Sequence, residues 1–175
     1  MKKVFLSLVT VLLTFTSYQV QAQTVSWDAA KCMDIINIIS SGGDNLDGQL
    51  RGYTLVNNIT HDDGYGFVSL YSKNARVAYN GDLLGLSGKG VSNIIMINQR
   101  TDGYTQYPEV VTSFFSAANA TKFRNQMIEL GFTKSEVKNG STFYKSENVP
   151  ALQIQETKDR MGKYTLFMFT FKVVM

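Results

Sequence analysis

Cysteine occurs once in 175 residues, at Cys32, and that scarcity excludes an internal disulfide. Stability must come from buried apolar surface instead of covalent staples. Histidine also occurs once, at His61. Mononuclear zinc and iron sites draw on several His or Cys side chains, so one chain is too poor in ligands to build one. The same imidazole would have to serve as base in any Ser-His-Asp arrangement, and no Gly-x-Ser-x-Gly turn supplies the nucleophile. Proline occurs twice and no low-complexity tract is present, which argues against a disordered stalk.

Charge of one sign is also scarce. The formal +3 arises from 17 basic and 14 acidic residues. Two of the basic ones, Lys2 and Lys3, open the chain, and the others are scattered instead of striped. A phosphate-tracking surface needs clustered Lys and Arg, so nucleic acid is not an expected partner.

Long apolar runs are absent except near the start. Lys2 and Lys3 precede an apolar stretch from Val4 to Phe15, and Val20-Gln21-Ala22 has the small-x-small form of a cleavage site. These are the parts of a secretory signal peptide. The run is shorter than the roughly 20 residues of a membrane span. Cys32 lies too far downstream for lipid attachment at the end of the run. The expected organisation is a signal peptide over 1–22 and a single α+β domain over 23–175, periplasmic or extracellular, with no transmembrane anchor after cleavage.

Within the domain, Ala29, Cys32, Met33, Ile36 and Ile39 recur at steps of three and four, the period of an amphipathic helix. The spacing predicts a helix over 26–40, capped by Ser26 and stopped before Gly42-Gly43, with Cys32 on its buried face. Short β-rich runs follow at 53–57, 65–71, 76–79 and 93–99, with Asp63-Gly64 and Asn80-Gly81 as turn signals. Residues 81–92 read as a glycine-rich excursion and 100–115 as a connection. A second helix is expected from Ala120, Phe123, Met127 and Leu130, capped by Ser116 or Asn119 and ended at Gly131. Strands at 132–137, 141–145, 151–156 and 164–173 complete the chain, and Asn139-Gly140 is a strong hairpin signal.

Both halves, about 26–99 and 116–175, thus read as one helix followed by four strands. Gly52-Tyr53-Thr54 against Gly131-Phe132-Thr133, and Tyr71-Ser72-Lys73-Asn74 against Tyr144-Lys145-Ser146-Glu147-Asn148, are short matches that duplication or chance could produce. The expected class is α+β: an antiparallel sheet of about eight strands with helices on one face. In layout this is similar to tandem-repeat scaffolds such as the β-lactamase inhibitor proteins or the TATA-binding saddle. The likeness is architectural and assigns no function. The Lys-Lys start, Gln23 at the expected mature terminus and the α+β body also resemble small exported proteins of unknown function from Bacteroidetes-like bacteria.

Tests for chemistry return little. Gly85-Leu86-Ser87-Gly88-Lys89-Gly90 lacks the first glycine and the final Ser or Thr of a phosphate loop. Asp44, Asp47, Asp62 and Asp63 do not match a calcium loop. No catalytic, cofactor-binding or metal-binding residue is assigned, and no cofactor is expected.

The informative feature is that 164–173 and 93–99 are apolar on both faces: Phe167, Phe169 and Phe171 oppose Leu166 and Met168, and Ile95 and Ile97 oppose Ile94 and Met96. A sheet with one wet face should alternate apolar and polar. Both faces are therefore expected to be covered, by the chain itself, a second copy in a homodimer, or a ligand. Phe167, Phe169 and Phe171, with Tyr104 and Tyr107, form the candidate binding surface. The leading expectation is a non-catalytic exported binding or protein-interaction module of the cell envelope. A small exported hydrolase using carboxylates and a structural subunit of a homo-oligomer are the alternatives.

Overall fold

A computed structural model describes residues 27–174 apart from 63, 74–75, 81–82, 88–92, 102–105 and 162–163. For 74–92, 101–107 and 161–164 the description is confined to the backbone. The expected leader and Ser26 lie outside the described residues.

Helix α1 spans Ala29–Ser40 and buries Ala29, Cys32, Ile35, Ile36 and Ile39. Its N-cap is Asp28, whose carboxylate accepts the Lys31 N–H at 3.0 Å. A short acceptor at this position satisfies one of the helix's free donors, and it starts the helix three residues later than expected. The other end closes in a Schellman motif: Gly43 N–H donates to Ile38 O at 2.8 Å and Gly42 N–H to Ile39 O at 2.9 Å. Gly42 takes the required left-handed conformation, φ 79°. Helix α2, Ala117–Glu129, closes the same way, with Phe132 N–H on Met127 O at 3.0 Å and Gly131 N–H on Ile128 O at 2.9 Å.

The strands are β1 (Thr54–Thr60), β2 (Gly66–Ser72), β3 (Arg76–Asn80), β4 (Leu83–Ser87), β5 (Asn93–Thr101), β6 (Gln106–Phe114), β7 (Thr133–Lys138), β8 (Ser141–Lys145), β9 (Leu152–Met161) and β10 (Tyr164–Val173). Eight of them form one antiparallel sheet in the order β1-β2-β5-β6-β10-β9-β8-β7. The remaining pair, β3 and β4, is a separate hairpin, and β3 packs against β1 and β2. The α+β class with an antiparallel sheet is therefore the observed one.

Two stretches differ from the sequence reading. Residues 106–114, expected as connection, form the central strand β6 between β5 and β10. Pro108 argues against a central strand because it cannot donate to a ladder. It is tolerated because the β10 ladder begins only at Glu109, opposite Lys172. Residues 83–87, expected within a glycine-rich excursion, form β4, with Gly85 opposite Ala78.

The core joins α1, α2 and the inner row of the sheet in one cluster. Phe123 of α2 stands at its centre, with ring centroids 5.1 Å from Phe114, 5.0 Å from Phe169 and 6.0 Å from Phe171. Each such aromatic contributes about 1.5–3 kcal/mol through burial, and tilted ring pairs add to that. Cys32 is fully buried in the same cluster, and burial pushes its thiol well above the ordinary range.

The opposite row is also buried. Leu70, Ile94, Val111 and Leu166 are each at most 8 % exposed, and Ile95, Ile97, Phe169 and Phe171 on the inner row are fully buried. On the outer row of β5 and β10, Ile94 and Leu166 are thus buried, while Met96 and Met168 are only half-buried.

Candidate binding sites

Register places matched side chains at the two ends of the sheet. On one side Tyr71 of β2 stands opposite Leu55 of β1 and Ile95 of β5. On the other, Tyr144 of β8 stands opposite Lys134 of β7 and Ile154 of β9. Both outer strands carry a register shift just after that pairing, between Leu55 and Asn57 and between Lys134 and Glu136. Such bulges blunt exposed sheet edges.

Each end holds a concavity beside its tyrosine. The first is a groove of about 810 Å³, walled by the segment 44–53 and floored by β1, β2 and β5. The segment exists because β1 starts only at Thr54, well after Gly42 closes α1, whereas only Phe132 separates Gly131, which closes α2, from β7. Leu46 and Leu50 anchor it in the core. Tyr53 fixes its end: the phenol donates to Asn93 Oδ1 at 3.0 Å and the ring meets Trp27 edge-on at 5.5 Å. The lining is mixed: Phe67 and Tyr71 present aromatic surface on the floor, Leu55 stands at the rim, and Ile97 lies buried beneath. Leu55 is 49 % exposed, an apolar side chain left in water.

Polar groups converge on that floor. Ser69 Oγ donates to Asn58 Oδ1 at 3.0 Å, and Gln99, Asp44, Asp47 and Arg51 complete the lining. Burial pushes the Tyr71 phenol up, a hydrogen bond with Ser69 pulls it down, and the negative charge of Asp47 raises it further. The phenol therefore stays a neutral donor at ordinary pH. An apolar floor with a few placed donors and acceptors can hold an organic ligand by shape and orient it by hydrogen bonds.

The second concavity, about 320 Å³, lies over β7, β8 and β9 beside α2. Its back wall is an ion pair in which the Arg124 guanidinium forks onto Glu156. Nε bonds Oε2 at 2.9 Å and Nη2 bonds Oε1. Tyr144 donates to the same Oε2 at 2.7 Å. Burial alone would raise the Glu156 carboxyl, but hydrogen bonds from Arg124 and Tyr144 outweigh it and hold the pKa below the usual value. Burial and the Glu156 hydrogen bond push the Tyr144 phenol up to about 12. The arrangement ties α2 to the sheet.

The candidate surface read from the sequence is dispersed. Phe169 and Phe171 are filled by the chain's own Phe123. Phe167 is half-buried, and the Lys158 ammonium sits 5.6 Å over its ring at the edge of the second concavity. Tyr104 lies outside the described residues. Tyr107 pairs with Arg100 through the backbone, and its side chain lies outside the description. The groove residues carry no spacing signal: 44–53, Phe67 and Gln99 meet only through sheet pairing.

Among the described residues no group of three His, Cys, Asp or Glu is placed to hold a metal ion, and no helix is long and apolar enough to cross a membrane. His61 Nε2 lies 2.8 Å from Asn98 Oδ1, and Asn98 Nδ2 donates to Glu109 Oε2 at 3.3 Å. This chain ties the β1–β2 turn to β5 and β6. Gly85 to Ser87 of the glycine-rich motif lie in β4, so no phosphate-cradling loop runs through them. No family model, curated protein or solved structure matches the chain.

Proposed function

We propose that this chain is an exported, non-catalytic binding module whose ligand occupies the groove between 44–53 and strands β1, β2 and β5. The groove itself carries the reading. Its volume of about 810 Å³ lies within the range of roughly 300–1,000 Å³ usual for ligand sites, and it combines Phe67 and Tyr71 with placed polar groups. The lack of a recognisable catalytic constellation in the sequence, with one His and one Cys, favours binding over catalysis. The segment 1–22 acts as a cleaved leader that delivers residues 23–175 to the periplasm or the cell exterior.

The scaffold is two tandem units with both helices on one face of the sheet. Several coincidences support this part of the reading. The N-caps Asp28 and Ser116, the paired Schellman ends and the two shifted outer strands recur in the same order. On this reading, the hairpin β3–β4 and the segment 44–53 are additions to the first unit, and the second addition creates the groove.

The test is an NMR screen of the purified protein with a diverse fragment library. Hits that cluster on amides of Tyr53, Asn58, Ser69 and Gln99, and that weaken in Phe67→Ala, support the reading. The single tryptophan, Trp27, packed on Tyr53, should report the same ligands by fluorescence. Hits confined to other surfaces would overturn it. Export is tested separately: the mature protein recovered from outside the cytoplasm should begin at Gln23.

A further inference from the structure

We propose that the concavity beside α2 binds an oxyanionic group, a phosphate or carboxylate held between the ammonium groups of Lys134 and Lys158. The charges around this concavity do not balance. Arg124, Lys134 and Lys158 line this concavity against one carboxylate, Glu156. Both Glu156 oxygens are already engaged, by Arg124 and by Tyr144. The carboxylate's hydrogen-bonding capacity is thus committed to the clamp; neither lysine is within ion-pair distance of it, although the Lys158 charge still helps to lower its pKa.

Each lysine keeps its donors for something else. Lys134 stands on the outer strand β7, which is exposed along its length, with no ion pair among the described residues. Lys158 touches the face of Phe167, a cation–π contact that holds the ammonium in place without using its N–H groups as hydrogen-bond donors to oxygen. Register puts both on the face of the clamp: Lys134 is opposite Tyr144, and Lys158 follows Glu156 by two residues along β9. Thr142, opposite Glu156, adds a hydroxyl.

Two like charges brought to one concavity repel each other unless an anion joins them. A concave, partly desolvated wall also concentrates field lines and raises the local density of counter-ions. The space, about 320 Å³, is roughly ten times the ~30 Å³ share of a water molecule and accommodates a tetrahedral or planar oxyanion. At the matching positions of the first half stand Leu55 and Gln99, so the cationic pair belongs to one end of the sheet alone. This inference stands apart from the groove reading and can fail without it.

The experiment is an NMR titration of the purified protein with inorganic phosphate and, in a second arm, acetate, at low ionic strength. Saturable shifts at Thr142, Tyr144 and Lys158, weakened about tenfold or more in the double variant Lys134→Gln/Lys158→Gln and by added salt, are expected. Preference for phosphate over acetate assigns a phosphoryl group, and the reverse a carboxylate. Both lysines are exposed, so an otherwise unchanged spectrum will show that the variant is folded. Phe67→Ala should leave this binding intact. Shifts that do not saturate, or affinity unchanged in the double variant, would overturn the proposal.

Discussion

The two ends of the sheet solve the same packing problem with opposite chemistry. Beside Tyr71 the floor carries the Phe67 ring over buried Ile97, and a long segment from α1 to β1 walls it into a groove. Beside Tyr144 the floor carries Glu156, neutralised by Arg124 of α2, and only Leu130, Gly131 and Phe132 lead from that helix to β7. The first end leaves space over an apolar surface. The second closes that space with an ion pair and leaves cations at the rim. Similar register at the two ends is therefore compatible with different side-chain chemistry.

The largest expected effect breaks the helix packing unequally. Phe123→Ala removes contacts with three phenylalanine rings and should cost about 3–5 kcal/mol. Ile35→Val, one methylene removed from the buried face of α1, should cost only about 0.5–1.5 kcal/mol. Urea unfolding of both variants checks the ratio. Comparable losses would mean that α2 does not dominate the core as its ring contacts suggest.

A double-mutant cycle sharpens the contrast between ion pair and apolar floor. Glu156→Leu alone strands the Arg124 guanidinium and the Tyr144 hydroxyl, and should cost about 2–3 kcal/mol, less than a fully buried pair because Arg124 is 28 % exposed. Arg124→Leu with Glu156→Leu makes this end resemble the apolar one. The double variant should recover most of that loss. If it is as unstable as the single variant, the clamp contributes net stability instead of fixing where α2 docks.

Acid and alkali probe the same clamp from two sides. The folded-state pKa of Glu156 is lowered by Arg124 and Tyr144 against the raising effect of burial. The unfolded state then binds more protons, so this contribution is present above the ordinary carboxyl pKa of 4.5. It is lost as pH falls through the lower folded value. Tyr144 works in reverse: its pKa is raised to about 12 from 10, so its contribution is present below pH 10 and is lost as pH rises toward 12. Thermal melts of Glu156→Gln should show a flattened acid limb, and those of Tyr144→Phe a flattened alkaline limb. The Tyr71 end has no carboxylate clamp, and Tyr71→Phe should leave the acid limb unchanged.

These features differ in how far they can be read without coordinates. The helices were legible because their buried residues recur along the chain: Cys32, Ile36 and Ile39, and Ala120, Phe123 and Met127, sit at steps of three and four. The Gly131–Phe132 cap and the Asn139-Gly140 hairpin were legible for the same local reason, since each turn chemistry is written in adjacent residues. Strand β6 was not, because Pro108 signals a break and only the ragged start of the β10 ladder removes the penalty. Both concavities were invisible. Arg124, Tyr144 and Glu156 meet through a helix and two strands, and Asp47, Phe67 and Gln99 through a loop and two strands, so no spacing in the sequence encodes either group.

The smallest effect concerns the helix starts, where the two ends differ by one hydrogen bond. Asp28 caps α1 through its side chain, while Ser116 at the start of α2 makes no side-chain cap bond and offers only its carbonyl, which accepts the Ala120 N–H at 3.0 Å. Removing the first cap by Asp28→Ala should cost about 1 kcal/mol, since it frees a donor and deletes a negative charge near the positive end of the helix dipole. Ser116→Ala deletes a hydroxyl that caps nothing and should cost a few tenths at most. Ser116→Asp then supplies what α1 already has and should gain up to about 1 kcal/mol. Chemical denaturation resolves the first and third changes. A loss at Ser116→Ala equal to that at Asp28→Ala would mean that the hydroxyl caps α2 in solution, and the asymmetry between the helix starts would vanish.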